Sequence, residues 1–580
     1  MAACGQPTPS EETSRTSSAL YGAANWGVTG PTQQQGLTSH ETSSTSVAAC
    51  DLSHGCPGPR QWVTVFNNNQ NCYPTVTASP CGGWAYSNDI NGSSWTAQVQ
   101  STGLDFAPNP GNCSDGNAFA GWGGDPSIAP VTDPTINNGG TRLLYTNLGN
   151  STVNPYTDVI VAISTNGGHG WGNTNFVTTP GVSSGGGASG GFMGGNGYQD
   201  DQPAIASNSL SPYGSWVSWT YYDIPHYTSQ GYINSVRYDL SLTYSTGYLH
   251  PVQVPPAPVS SGVFPFEQAA VSVTSMQTCS PGLHEIVFVA FDTSPVGLAG
   301  VSRCGGNRDN HTSPVSWWLN MYDATVGQWL FPNAPLPLGT DAQFPDCVGN
   351  LSAGAGGQIG YPGTNSQKPA LAVAPGGPDF WIANVQSSLS LPGYTHSEGT
   401  RVAIHHRRLS CINGQMAVSN LGDNSAPDTC YGLTGWGPCT GDAGSGGQNG
   451  PDGGYVVNDE WEPGLGFLWN YNTQPATPEL FATWYDTRLD PANDLVGVWG
   501  AWTTCTTPSC NPFNNVFYVS HNISPTYVSW DFTEGLQWDY NVPGVDPNTY
   551  SFLAVWGGDA RNGQNADGGR ADGIWSSRVQ

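Results

Sequence analysis

Seven segments of the chain open with an acidic or polar residue and lead into a short apolar run. In order they are His40-Glu41-Thr42, Asp125-Pro126-Ser127-Ile128-Ala129, Asp201-Gln202-Pro203-Ala204-Ile205-Ala206 and Glu267-Gln268-Ala269-Ala270-Val271. Gln367-Lys368-Pro369-Ala370-Leu371-Ala372-Val373, Asp459-Glu460-Trp461-Glu462-Pro463 and Gln537-Trp538-Asp539-Tyr540 follow. Their heads are the carboxylates Glu41, Asp125, Asp201, Glu267, Glu460 and Asp539, plus one amine, Lys368, the chain's only lysine. Carboxylates brought together raise one another's pKa or require a cation. With oxygen ligands alone that cation is expected to be Ca²⁺. The competing expectation is that each carboxylate caps its own strand and bonds only to nearby backbone.

A second set could carry hydrolytic chemistry. Glycoside hydrolysis uses two carboxylates about 5–10 Å apart, one of them often with a raised pKa. Glu460, Glu462, Asp486 and Asp559 are candidates, with Glu460, Asp486 and Asp559 in the catalytic roles. Arg488 and Arg561 could hold an acidic sugar in bidentate contacts, with Tyr540 as a further binding residue. An Asp-x-Arg at a strand end is more often a structural ion pair, and its repetition in two copies favours architecture over chemistry. The one basic cluster, His405-His406-Arg407-Arg408, places its two histidines on opposite faces of a strand, and is expected on a solvated edge. The Gly-rich tracts 183–197 and 441–454 lack the strand-to-helix context of a phosphate loop. No organic cofactor is implied.

The elements that would position these groups are strands. Runs such as Trp62-Val63-Thr64-Val65-Phe66-Asn67, Ile286-Val287-Phe288-Val289-Ala290-Phe291-Asp292 and Phe481-Ala482-Thr483-Trp484-Tyr485-Asp486 follow the heads, with third strands at Val159–Ile163, Val402–His405 and Val496–Trp499. A strand triplet cannot bury both of its faces alone, so neighbouring copies must stack. Radial repetition does this while leaving only short, protected edges. The expectation is an all-β fold, a single β-propeller of seven blades, six being the other count, with long disulfide-stapled loops. A β-helix or tandem sandwiches are the structural alternatives. The propeller spans 39–580. Residues 1–38 form an N-terminal segment, an anchor or linker, in which Tyr21–Trp26 could supply the strand that closes the ring.

Composition narrows the setting. The net charge is −27, from 14 Lys+Arg against 41 Asp+Glu, which repels phosphate backbones and argues against nucleic acid. No stretch of about 20 apolar residues exists to span a membrane. The 14 cysteines show no CxxC and no zinc spacing. Close neighbours suggest loop staples: Cys50/Cys56, Cys72/Cys81, Cys430/Cys439 and Cys505/Cys510, with Cys279/Cys304 and Cys347/Cys411 bridging longer excursions. Disulfides imply an oxidising compartment, and Asn91, Asn112, Asn150, Asn310, Asn350 and Asn522 stand in glycosylation sequons. Together these point to an extracellular or cell-surface protein. Cys4, after small residues, is a candidate lipid anchor or a disulfide cysteine.

Ser164-Thr165-Asn166-Gly167-Gly168-His169-Gly170-Trp171 resembles the Asp-box turn, Ser-x-Asp-x-Gly-x-Thr-Trp, of the sialidase-like propeller superfamily, with Asn for Asp and Gly for Thr. Ser87-Asn88-Asp89-Ile90-Asn91-Gly92-Ser93-Ser94-Trp95 is a second version with one residue inserted, and Trp484-Tyr485-Asp486-Thr487-Arg488 and Trp556-Gly557-Gly558-Asp559-Ala560-Arg561 resemble its Trp-x-Asp-x-Arg strand ends. The resemblance implies a propeller in which the box is a turn remote from chemistry. It does not extend to the sialidase arginine motif, since no arginine precedes Ile-Pro or Val-Pro. The expected function is therefore binding, adhesion or assembly toward carbohydrate or a surface protein. A secreted glycoside hydrolase using the late carboxylates is the alternative.

Overall fold

The computed structural model describes residues 25–27, 45–50, 61–68, 81–89, 94–98, 119–135, 140–151, 157–177, 198–208, 214–223, 226, 228–238, 251–295, 315–341, 368–387, 400–425, 429–432, 435–438, 460–470, 476–486, 497–504, 521–522, 541–546, 551–559 and 572–579. Every element assigned among them is a strand. Five antiparallel sheets have four strands. In chain order their members are Phe119–Asp133, Gly140–Ser151, Thr157–Ser164 and Gly172–Phe176 (the second sheet of the chain); Tyr198–Ser207, Ser215–Asp223, Thr228–Val236 and Val252–Gln253 (the third); and Ala370–Val373, Asp379–Ser387, Thr400–Ile412 and Gln415–Ser425 (the fifth). Glu460–Asn470, Thr477–Asp486, Gly497–Thr504 and His521–Asn522 make the sixth. The last joins Gly544–Asp546, Ser551–Asp559 and Asp572–Val579 to Asn25–Gly27, so the N-terminal segment supplies the fourth strand, with Trp26 opposite Ser576.

Three further sheets depart from that form, one of them only the two-stranded pair of Thr429–Gly432 with Gly435–Pro438. The first, built on Thr45–Cys50, Gln61–Asn68, Cys81–Ser87 and Thr96–Gln98, gains Asn541–Val542 as a parallel fifth strand. The fourth, built on Ala269–Gln277, Leu283–Pro295 and Val315–Asp323, carries six strands because Val263–Phe264, Gln328–Trp329 and Leu336–Asp341 add to it. The expectation of seven four-stranded blades, with six as the other count, is thus corrected: five four-stranded blades are present among the described residues, not seven, and the remaining sheets depart from that form.

The sheets stack face to face as a β-propeller. Val63, Val65 and Trp84 pack with Leu143, Tyr145 and Ile160 of the second sheet. Val161 and Leu144 meet Val217 and Trp219 of the third, whose Trp216 and Ile233 meet Val271 and Val289 of the fourth. Phe288 and Leu319 meet Phe380 and Ile382 of the fifth. Trp381 stacks on Phe467 at 5.0 Å, Phe481 on Phe552 at 5.0 Å, and Leu553 and Val555 return to Trp62 and Phe66 of the first. Each middle strand is therefore covered on both sides, so it reads as a continuous apolar run and not as an alternation. Ile286 to Phe291 are all 0 % exposed. Each such large side chain contributes on the order of 1.5–3 kcal/mol on leaving water.

One disulfide is present among the described residues, Cys279–Cys411, with Cα atoms 5.1 Å apart. It corrects both long bridges expected from sequence, Cys279/Cys304 and Cys347/Cys411. Cys279 sits in the turn between the first two long strands of the fourth sheet, and Cys411 at the end of a strand of the fifth, so proximity across stacked sheets overrides proximity in sequence. Cys304 and Cys347 lie outside the described residues. The four expected short staples also fall there in whole or in part. Cys56, Cys72, Cys439, Cys505 and Cys510 lie outside the described residues, and their intended partners Cys50, Cys81 and Cys430 are placed only as strand positions. None of Cys50/Cys56, Cys72/Cys81, Cys430/Cys439 and Cys505/Cys510 is therefore among the bonds the structure describes. Among the described residues no helix is long and apolar enough to cross a membrane.

Candidate active site at the mouth of the inner strands

In each sheet the innermost strand runs antiparallel to the second, so inner-strand starts and second-strand ends share one mouth. Asp201 lies opposite Thr220 in the third sheet, and Glu460 opposite Asp486 in the sixth. The turn 164–171 joins third and fourth strands, which puts it on the other face.

Glu267 is the best-defined group at this mouth. Its backbone N–H donates to the Asp292 carbonyl (2.9 Å), and Asp292 N–H donates to the Gln268 carbonyl (3.3 Å). The Thr220 hydroxyl, from the neighbouring sheet, donates to the Glu267 carbonyl at 2.9 Å. One residue earlier, Phe266 N–H donates to Ser229 Oγ (3.2 Å), while its ring stacks on Phe291 at 4.4 Å. That ring fills the space a side chain at Gly231 would otherwise take. Two sheets therefore hold the strand entry that carries Glu267.

Asp292 is 1 % exposed, whereas Glu267 is half-buried. Burial, and then the Glu267 charge, hold the Asp292 carboxyl well above its usual range. Its Oδ1 accepts no hydrogen bond from the described residues. Two carboxyls in unequal surroundings, one half-buried and one wholly buried with its pKa raised, form the kind of pair that divides acid and base roles. Around them, Asp201 Oδ1 accepts from Gln202 N–H at 2.9 Å, and Lys368 is 7 % exposed. Aromatic rings flank the third sheet's end of the mouth: Tyr222 meets Phe264 edge-on at 5.5 Å, and Tyr221 meets Tyr232 at 6.3 Å. The Tyr232 hydroxyl donates to Gln230 Oε1 (2.6 Å), and burial, with Asp200 nearby, raises its pKa.

The candidates named from sequence fall unevenly on this frame. Asp201 and Glu267 are in place at adjacent inner strands. The backbone places Asp125 and Glu460 on inner strands and Asp486 and Asp559 at second-strand ends, but their side chains lie outside the described residues. Glu41, Asp539, Tyr540, Arg488 and Arg561 lie outside them altogether, as do Asn91, Asn112, Asn310 and Asn350; Asn150 and Asn522 are placed only as strand positions. Among the described residues no three His, Cys, Asp or Glu side chains gather to hold a metal ion. The Ca²⁺ expectation therefore depends on carboxylates outside them.

Sequence reasoning missed Asp292, whose signal was its place at the end of the longest apolar run. It also misplaced His405-His406-Arg407-Arg408. Gln415–Ser425 pairs outside this strand, and the first three of these side chains are buried. His405 Nδ1 meets Asp423 at 2.7 Å, Arg407 meets Asp423 at 2.6 Å, His406 stacks on Trp381, and Arg408 grips Asp379 at 2.8 and 2.9 Å. The His405 hydrogen bond leads the effects that hold Asp423 below its usual value, while burial lowers His405. This is an architectural ion network with opposite-facing histidines.

The turn 164–171 closes as its residue types require. Gly168 N–H donates to Ser164 Oγ (2.9 Å), Gly170 N–H to Asn166 Oδ1 (3.0 Å), Gly167 and Gly168 take positive φ, and Trp171 is buried against Tyr145. Trp84 Nε1 donates to Gly168 O at 3.1 Å, so the turn also pins the first sheet.

No protein-family model matches the chain, and no curated protein does. Among solved structures, a B. megaterium levansucrase variant aligns at 9 % identity over 68 % of this chain and 88 % of its own, with TM-score 0.33. The phage phi92 endosialidase aligns at 8 % identity over 96 % and 69 %, TM-score 0.34. The Podospora anserina α-L-arabinofuranosidase in complex with cellotriose aligns at 12 % over 68 % and 95 %, TM-score 0.28. Likeness this distant supports no argument about activity.

Proposed function

We propose that this is an extracellular propeller whose inner-strand mouth engages carbohydrate, with Glu267 as the ligand-facing carboxylate and Asp292 as the buried acid that shares its proton. The observation that carries this reading is the Glu267–Asp292 pair: one residue is half-buried at the mouth, the other is wholly buried with its carboxyl pKa raised by burial and by the Glu267 charge. Hydroxyl-rich ligands suit a site of acceptor carboxylates beside tyrosine rings, whose faces offer apolar area and whose hydroxyls offer hydrogen bonds. The register of Glu460 opposite Asp486 repeats the arrangement in the sixth sheet and supports a mouth lined by acidic pairs. In the same reading the five- and six-stranded sheets complete one closed ring with the four-stranded five, supported by the packing of each sheet on the next. Secretion is supported by the Cys279–Cys411 bond.

The chemistry is glycoside hydrolysis if Glu267 and its acid reach a glycosidic bond, and binding alone if they contact only hydroxyls. A panel of chromogenic glycosides run beside a glycan array separates the two. Turnover supports the hydrolase, saturable binding without turnover supports the binding module, and neither response on either panel would end the carbohydrate reading.

A further inference from the structure

Three large apolar side chains stand out to solvent among the described residues: Leu283 (67 % exposed), Val326 (51 %) and Ile412 (49 %). Leu283 follows the turn between the first two long strands of the fourth sheet, and Val326 lies in the turn after Val315–Asp323. Ile412 ends a strand of the fifth sheet. Strand direction puts all three on one face, opposite the mouth. The Cys279–Cys411 bond ties the turn before Leu283 to the residue before Ile412. The turns are fixed in shape. Asp323 Oδ1 accepts from Thr325 N–H (3.0 Å) and Val326 N–H (3.3 Å), while Gly282 and Gly414 take φ of 104° and 78°. The patch is thus presented ready-made, which lowers the cost of ordering it on contact.

Charge says what fits there. Residues 277–283, 325–328, 375–376 and 411–415 make the outer turns of these two sheets on this face, and none is Asp, Glu, Lys, Arg or His. The charged groups just beneath are paired inside: His284 Nδ1 meets Asp323 Oδ2 at 2.7 Å, and Arg408 holds Asp379. Elsewhere the chain's net charge of −27 makes two copies repel, and a cationic partner gains nothing from uncharged turns. These turns are where two copies can meet without opposing like charges, and a two-fold contact matches a patch with itself. We propose that the face around Cys279–Cys411 is a two-fold interface between two copies of this chain, with Leu283, Val326 and Ile412 at its apolar centre. An axis near the disulfide sets Leu283 of one copy against Ile412 of the other and leaves both mouths open.

Sedimentation velocity of the full chain, at concentrations up to about 100 μM, tests this. The wild-type protein should pass from the mass of one chain to that of two. Added NaCl should favour the larger species, because it screens repulsion and spares apolar contact. Leu283→Glu with Ile412→Glu sets like charges across the contact and should raise the dimer Kd about tenfold or more. Both side chains are exposed, so the melting temperature should hold. Val326→Lys, in a separate turn, should weaken association as well and serves if the double variant folds poorly. A wild-type chain that stays at the mass of one copy overturns the proposal. So does a two-chain species that survives these substitutions or weakens in salt.

Discussion

The Glu267 amide donates to the Asp292 carbonyl, and the Glu267 charge acts on the Asp292 carboxyl, which lies wholly inside the protein. Because the folded state raises the Asp292 pKa, it binds a proton that the unfolded chain releases as pH rises above its ordinary carboxyl range. The stability tied to this group is therefore present in acid and lost as pH rises through the folded value. Asp292→Asn, which mimics the protonated form, should match the wild-type melting temperature near pH 4 and exceed it increasingly toward pH 7. Parallel curves for the two proteins across that range would place Asp292 in an ordinary, ionised environment.

Cys279 and Cys411 tie the fourth sheet to the fifth across 132 positions of chain. Non-reducing peptide mapping should recover Cys279 joined to Cys411. In the chain-entropy model a loop of this length stabilises by about 4–5 kcal/mol at most, so Cys279→Ser with Cys411→Ser should lower the denaturant midpoint clearly. Recovery of Cys279 joined to Cys304 would contradict the stacking of these sheets.

Gly168 is the point at which the turn 164–171 meets the first sheet. It has φ of 85°, and a Cβ there would sit 2.5 Å from Val63 Cγ2. Gly168→Ala should cost about 2–4 kcal/mol in urea unfolding from strain and overpacking. Since the turn lies on the face opposite the mouth, glycan response per folded molecule should not change. A silent substitution would show that the turn does not hold the two sheets together.

The strand class was legible because short apolar runs with polar entries are local signals, whereas the number of blades was not, because it depends on how the sheets pair. The same local signals put Asp201 and Glu267 at inner strands, where the backbone has them, while the expected role as cation ligands is a separate matter. The partner of Glu267 was not legible, because Asp292 looks like any acid closing a strand until the neighbouring inner strand lies across it. The same limit explains the cysteines. Cys279 has a nearer cysteine in sequence, Cys304, but the stacking of the fourth and fifth sheets decides its partner. His405 and Arg407 misled for a related reason: two adjacent basic groups read as a solvated edge, whereas Asp423 on the next strand neutralises and buries them.

Whether Glu267 meets the ligand is read from the response of Glu267→Gln on the chromogenic glycoside and glycan panels, measured beside its melting temperature. Turnover, or saturable binding where no turnover occurs, should fall about 100-fold or more while the melting temperature holds or rises, because the charge acting on Asp292 is gone. An unchanged response from a folded Glu267→Gln protein would contradict it and move the site elsewhere on the propeller.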